Sequence, residues 1–304
     1  MLDPSLAILF NGQSMISFLI LGAVLGIVYT LLSEGFGLMY GVGGILNGAY
    51  GALYMVTDYF IFTLFTLYKI QIYVAILLSL AIVFLLAVTI QKFVVGRGKS
   101  TVDALFLTLA LAFVIQYFVA FLQCSSTFKA ACQHPAFVPV FILGSTSLLG
   151  VSVSNQQLVA DGVSILLLGA LWVMLTRTGF GRGIRAVSQD RAAAELVGIN
   201  SQRTMLITSG LASVMAGVSS AFLASYQSVS PTSGWDILTL AFAIVILGGL
   251  GSLKGAVVAS FILAYAQTFV LLFVNSLLAD FASLTILIIV LLVRPQGLFG
   301  KEVA

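Results

Sequence analysis

An all-α polytopic membrane protein is the fold class this sequence predicts, and three observations predict it. Of 304 residues, 61% are hydrophobic and only 8% are charged, whereas an ordinary soluble domain has about 25% charged residues. The mean hydropathy is +1.17. The charges cluster, leaving uncharged runs at 4–33, 35–57, 70–91, 104–128, 204–235 and 255–279. Each run reaches the roughly 17–25 residues that a spanning helix needs. So few charges cannot clothe a water-facing surface, which excludes a soluble enzyme. High apolar content and only two cysteines exclude the disordered and disulfide-scaffold classes.

Taken in order, the first span is expected at 14–33. No Lys or Arg precedes Lys69, so the positive n-region of a cleaved signal is missing and this segment is expected to remain. Sequences such as LLSLAIVFLLAVTI (77–90) and SLTILIIVLLV (283–293) lack period-2 alternation. Helices, not barrel strands, are therefore expected to satisfy the backbone in lipid. Shorter apolar runs at 162–176, 237–253 and 281–293 bring the expectation to about 8–9 transmembrane helices in a single domain, 1–304. Lys92, Arg97 and Lys99 crowd one loop, Arg294 and Lys301 mark the tail, and Arg177, Arg182, Arg185, Arg191 and Arg203 share one connector. Cytoplasmic loops carry the Lys/Arg excess, so these regions, including the C-terminus, are expected inside. The loop at 123–160 carries only Lys129 and is expected outside, with the N-terminus. Cys124 and Cys132 in that loop can be paired or free, and the single histidine, His134, lacks companions for a metal site.

No enzymatic constellation emerges. VVGRGKST (94–101) ends like a phosphate-binding loop, but Phe93 stands where the first glycine must be, and an apolar span precedes it where a strand is required. It reads as a short basic inside loop. G-x-S-x-G is absent, no Ser/His/Asp set can be placed, and the acids form no metal cluster. No catalytic residue, metal or cofactor is expected. Glu34, Asp58, Asp103, Asp161, Asp236 and Asp280 are expected near span ends, as solvated or helix-capping groups. A proton- or sodium-coupled transporter would carry acids nearer the midplane.

Two glycine-rich stretches interrupt the apolar pattern. GFGLMYGVGGILNGAYGALYM (35–55) contains Gly44, Asn47 and Gly51; ILGGLGSLKGA (246–256) contains Gly248, Gly249 and Gly251. Glycine permits both close helix packing and irregular backbone lining a path, and both readings stand for these six residues. Between the stretches lies RTGFGRGIRAVSQDRAAAELVGINSQR (177–203). Asp190 as N-cap, the helix formers AAAELV and Gly198 as stop predict a short helix among arginines. A defined helix is more than topology requires, and it suits a docking surface for a cytoplasmic partner.

These segments carry a resemblance. The run Ala193, Ala194 and Gly198 resembles the coupling-helix motif of ATP-binding-cassette (ABC) importer permeases. More narrowly, NGAYGALYM (47–55), GRGIRAVSQDRAAAELVGIN (181–200), ILGGLGSLKGA (246–256) and RPQGLFG (294–300) follow the order and spacing of the first permease subunit of branched-chain amino acid importers. Departures occur at Gly48, Tyr50 and Ala52, where the family pattern is N-F-A-H-G-E, and at Lys254, where it often has proline. The resemblance implies a cytoplasmic coupling helix and a multi-pass subunit of the plasma or inner membrane. It also implies a heterodimer with a homologous second permease, two cytoplasmic ATPase subunits and an extracytoplasmic binding protein; nothing in it involves nucleic acid. Arg182, Arg185, Asp190, Ala193, Ala194 and Gly198 would serve ATPase coupling. Gly44, Asn47, Gly51, Gly248, Gly249 and Gly251 would serve the path for branched-chain amino acids, or for the urea and short amides that relatives carry. A self-sufficient secondary transporter or channel is the reading from another class.

Overall fold

The computed structural model describes residues 12–98, 100–123, 137–226, 228–275, 278–293 and 296–299. Helices dominate: α1 Gly12–Gly43, α2 Ala49–Thr66, α3 Ile72–Phe93, α4 Thr101–Gln123, α5 Asn155–Arg177, α6 Gly179–Gln189, α7 Arg191–Leu196, α8 Ser201–Leu223, α9 Ser233–Gly248, α10 Leu253–Phe273 and α11 Ala279–Val293. Among the described residues, six helices are long and apolar enough to cross a membrane: α1, α3, α4, α5, α8 and α10. Six is fewer than the 8–9 expected. The shorter apolar α9 and α11 have 16 and 15 residues, and the 18-residue α2 is diluted by Asp58 and three tyrosines. Cys124, Cys132 and His134 lie outside the described residues, as do Lys99, Arg294 and Lys301.

Two expectations need correction. The interruption predicted from Gly35 begins only at Gly44, because α1 continues for 32 residues to Gly43, about 48 Å at 1.5 Å per residue. Isolated glycines inside a long apolar helix lower its stability without ending it. Glu34 therefore lies well inside α1, while Asp58 lies mid-way along α2 and Asp161 in the second turn of α5; all three are buried. None is a solvated end group. Asp103 does cap: its N–H donates to Ser100 Oγ and its Oδ2 accepts from the Ser100 N–H, each at 3.1 Å. This reciprocal box opens α4 and gives Ser100 a plain structural role.

The helices gather into two compact units: the described residues of Met1–Glu34, Phe141–Leu166 and Leu240–Ala304 in one, and of Gly35–Val140 and Leu167–Thr239 in the other. In the first, α10 packs on the early part of α1. Gly22 lies against the Tyr265 ring and Gly26 against Phe261, while Tyr29 donates to Gln267 at 2.7 Å and Thr30 pairs with Ser260. A β-hairpin, β1 Ser145–Leu148 and β2 Val151–Ser154, belongs to this unit, with Leu148 opposite Val151. Leu149 and Gly150 turn it with positive φ values of 50° and 85°, as a two-residue hairpin requires. The hairpin departs from the all-helical expectation; its only sequence signal is the alternation VSVS.

In the second unit α8 packs against α2 and α3. Its buried face presents Ser209, Gly210, Ser213, Ala216, Gly217 and Ser220, small residues that let neighbouring backbones approach where lipid supplies no hydrophobic drive. Phe84 of α3 fills the space over Gly210, and Leu80 that over Gly217. Ser220 donates to the Asp58 carboxylate, giving that buried acid a partner across the α2–α8 contact. Satisfied buried polar pairs of this kind fix helix register.

Candidate functional site

The connector between α5 and α8 folds as two helices where one was expected. Thr178 caps α6 by accepting the Gly181 N–H at 3.0 Å, Asp190 caps α7 by accepting the Ala193 N–H at 3.0 Å, and Asn200 caps α8 by accepting the Arg203 N–H at 2.8 Å. Three side-chain caps in 23 residues turn the chain at defined points and leave few conformations between them. On α6, Gly181, Ile184 and Val187 are buried at helical spacing, while Arg182 and Arg185 face outward. α7 ends in a left-handed glycine: Gly198 has φ +84°, and the N–H groups of Gly198 and Ile199 donate to the carbonyls of Glu195 and Ala194 at 3.1 and 3.0 Å. That is a glycine C-terminal stop. Ala193 faces outward, but Ala194 is buried within this unit, so the alanine pair splits between surface and packing.

The residues that sequence reasoning missed sit at the tip. Leu196 is 89% exposed and Val197 76% exposed, directly before the Gly198 turn and among outward arginines. Two large apolar side chains this exposed on a charge-rich tip mark a candidate contact surface. The Arg191–Glu195 pair, at 3.3 Å and i,i+4 spacing, braces the helix that carries them. In sequence Leu196 and Val197 read as ordinary helix residues; their exposure follows from what α7 packs against.

The two glycine-rich stretches prove to be different structures. At the first, Gly44 has φ +62° and ends α1. Buried Asn47 then accepts the Ala49 N–H through Oδ1 at 2.9 Å, and the Gly48 N–H donates to Thr108 Oγ1 of α4 at 3.0 Å. The N–H groups of Gly48 and Ala49 at the start of α2 are thereby satisfied by side chains, as a helix start in a dry setting favours. Gly51 packs backbone to backbone: a Cβ there would lie 2.0 Å from the Gly234 carbonyl of α9. Asn47→Leu is accordingly expected to cost about 1 kcal/mol through loss of its buried hydrogen bond, seen as a lowered unfolding midpoint in detergent.

The second stretch is a tight turn between α9 and α10. Gly249 and Gly251 have φ +98° and +81°, and Ser252 caps α10 by accepting the Gly255 N–H at 3.1 Å. A Cβ on Gly255 would meet the Gly248 oxygen at 1.9 Å. The segment after α11 closes the same turn, since Leu298 and Phe299 donate to the carbonyls of Leu247 and Gly248 at 2.7 and 3.1 Å. ILGGLGSLKGA and the described part of RPQGLFG, far apart in sequence, form one packed corner.

The chain matches the family model described as "Branched-chain amino acid transport system / permease component" over residues 18–293. It belongs to this permease family. The permease is 28% identical to the high-affinity branched-chain amino acid transport system permease protein LivH of Salmonella typhimurium, covering 92% of this chain and 94% of that one. It is also 28% identical to the corresponding protein BraD of Pseudomonas aeruginosa, with 93% and 95% covered. The xylose transport system permease protein XylH of Escherichia coli is 37% identical over 109 residues, 34% of this permease and 28% of XylH. No solved structure matches the permease. Among the described residues there is no group of three metal-ligating side chains.

Proposed function

We propose that this permease is the membrane subunit of an ATP-driven importer of branched-chain amino acids. The observation that carries the reading is end-to-end likeness to two permeases named for that transport, each covering at least 92% of the chain. On this reading the domain is single, 1–304, and the shorter helices α2, α9 and α11 complete about nine crossings. The C-terminus lies in the cytoplasm, consistent with the basic residues at 177–203. A homologous second permease pairs with it as a heterodimer in the inner membrane, a binding protein delivers solute outside, and two ATPases dock inside. The permease itself hydrolyses nothing.

The docking site is the α6–α7 connector. Arg182 and Arg185 supply polar contacts, Leu196 and Val197 the apolar anchor, Ala193 a close approach, and Asp190 with Gly198 hold the geometry. ATP-driven closure of the ATPases moves this rigid, capped segment, and rocking of the helices it leads into switches access. Gly44 and Asn47 border the path at an irregular, side-chain-capped backbone. Gly51, Gly248, Gly249 and Gly251 support it by setting helix approach and turn geometry.

Reconstitution in liposomes tests the reading. The assembly of both permeases, ATPases and binding protein is expected to take up tritiated leucine only with ATP, and the purified chain alone is expected to take up none. Uptake by the chain alone would establish a self-sufficient transporter. Uptake of labelled urea or acetamide in place of leucine would move the substrate to short amides, the change that Gly48, Tyr50 and Ala52 raise.

A further inference from the structure

Within the second unit a narrow cleft opens where α1 ends, lined by Asn47, Gln91 of α3, and Thr208 and Ser209 of α8, with Met39 and Met205 among its apolar walls. Thr208 is the informative member. Helical hydroxyls in a dry setting normally bond the carbonyl one turn back, and this chain follows the habit: Thr57 donates to Leu53, Thr204 to Asn200 and Thr239 to Trp235, at 2.8–3.0 Å. Thr208 does not. Its hydroxyl is buried, the residue being 1% exposed, and has no partner among the described residues. A buried hydroxyl without a hydrogen bond is unfavourable, and a passing polar group would relieve it.

Its neighbours keep unused capacity. Asn47 spends Oδ1 on the α2 cap, leaving the amide nitrogen as a donor. Ser209 makes a long bond of 3.4 Å to the Ala87 carbonyl. The Gln91 amide offers both a donor and an acceptor. Among the described residues no Asp, Glu, Lys or Arg lines the cleft, so recognition there falls to neutral hydrogen-bonding groups. The methionines offer a soft, adaptable apolar wall. Lys92 follows Gln91 directly, which on the orientation proposed above sets the cleft toward the cytoplasmic side.

We propose that Thr208, Gln91 and Asn47 form a polar constriction on the path that recognises small solutes with a hydrogen-bonding head and an aliphatic body. Zwitterionic aliphatic amino acids fit this description; urea has no aliphatic body for the methionine wall. The assignment rests on the importer reading and adds a selectivity element inside the membrane to it.

The test is ATP-dependent uptake of tritiated leucine by the assembled transporter in liposomes. Thr208→Val keeps the shape and removes the hydroxyl; Thr208→Ser keeps the hydroxyl and removes a methyl. Thr208→Val and Gln91→Leu are each expected to lower uptake about tenfold, the effect of one lost hydrogen bond to a charged group, with Thr208→Ser close to wild type. Full uptake by both Thr208→Val and Gln91→Leu would overturn the constriction. Equal loss in Thr208→Ser and Thr208→Val would assign Thr208 to packing and overturn it too. A wild-type assembly without leucine uptake would instead defeat the importer reading, and the constriction with it.

Discussion

Replacing Leu196 and Val197 together with aspartate is expected to abolish substrate-stimulated ATP turnover while leaving the permease folded. The two side chains are 89% and 76% exposed, so they contribute little to the fold, and surface changes of this kind usually fall within about 0.5 kcal/mol. At an interface the same residues would act as the central anchor. Removing such an anchor typically costs about 2 kcal/mol or more, roughly 30-fold in affinity, and a buried unpaired carboxylate adds to the loss. Binding of the ATPases to permease in detergent should fall in parallel with turnover. Stimulated turnover equal to wild type would remove the α7 tip from coupling. Gly198→Trp is a less clean probe, because its φ of +84° strains any side chain and confounds docking with local folding.

Gly255→Val is expected to have the largest effect on stability of any substitution considered. Its Cβ would lie 1.9 Å from the Gly248 oxygen, and that obstacle is backbone, so no rotamer change relieves it. The corner is held further by Leu298 and Phe299, which donate to the Leu247 and Gly248 carbonyls; opening it would break those bonds as well. A loss of about 3 kcal/mol or more follows, seen as a fall in the unfolding midpoint and in the yield of monodisperse protein. Gly41→Ala provides the contrast. It is helical, with nothing within 4 Å of a new Cβ, and should gain about 0.5–1 kcal/mol. If Gly255→Val unfolds at the wild-type temperature, the α9–α10 corner is not the packed feature described above.

Some of this was legible in the residues and some was not, and the division has a physical cause. Helix formation in the apolar runs was legible because lipid offers no other partner to the backbone. The caps were legible too: Asp190 and Gly198 act as their residue types predict, since capping is a contact over three or four positions. Charge positions misled at Glu34 and Asp58. A charge in an apolar run reads as a span boundary, but burial beside Ser220 gives Asp58 a place inside the bundle.

What the sequence by itself determined is the class of protein, the order of its helices and the location of the charged connector. These depend on composition and short-range spacing, and they survive whatever the helices pack against. The tertiary structure alone decided which glycines break the backbone and which bring backbones together. Gly44 and Gly51 look alike in sequence, yet one turns the chain and the other faces Gly234. It also decided that Leu196 and Val197 point outward, that Ala194 points inward, and that Thr208 has an unmade bond among the described residues. Each of those outcomes depends on what lies across from the residue, and a linear pattern carries no record of the opposite side.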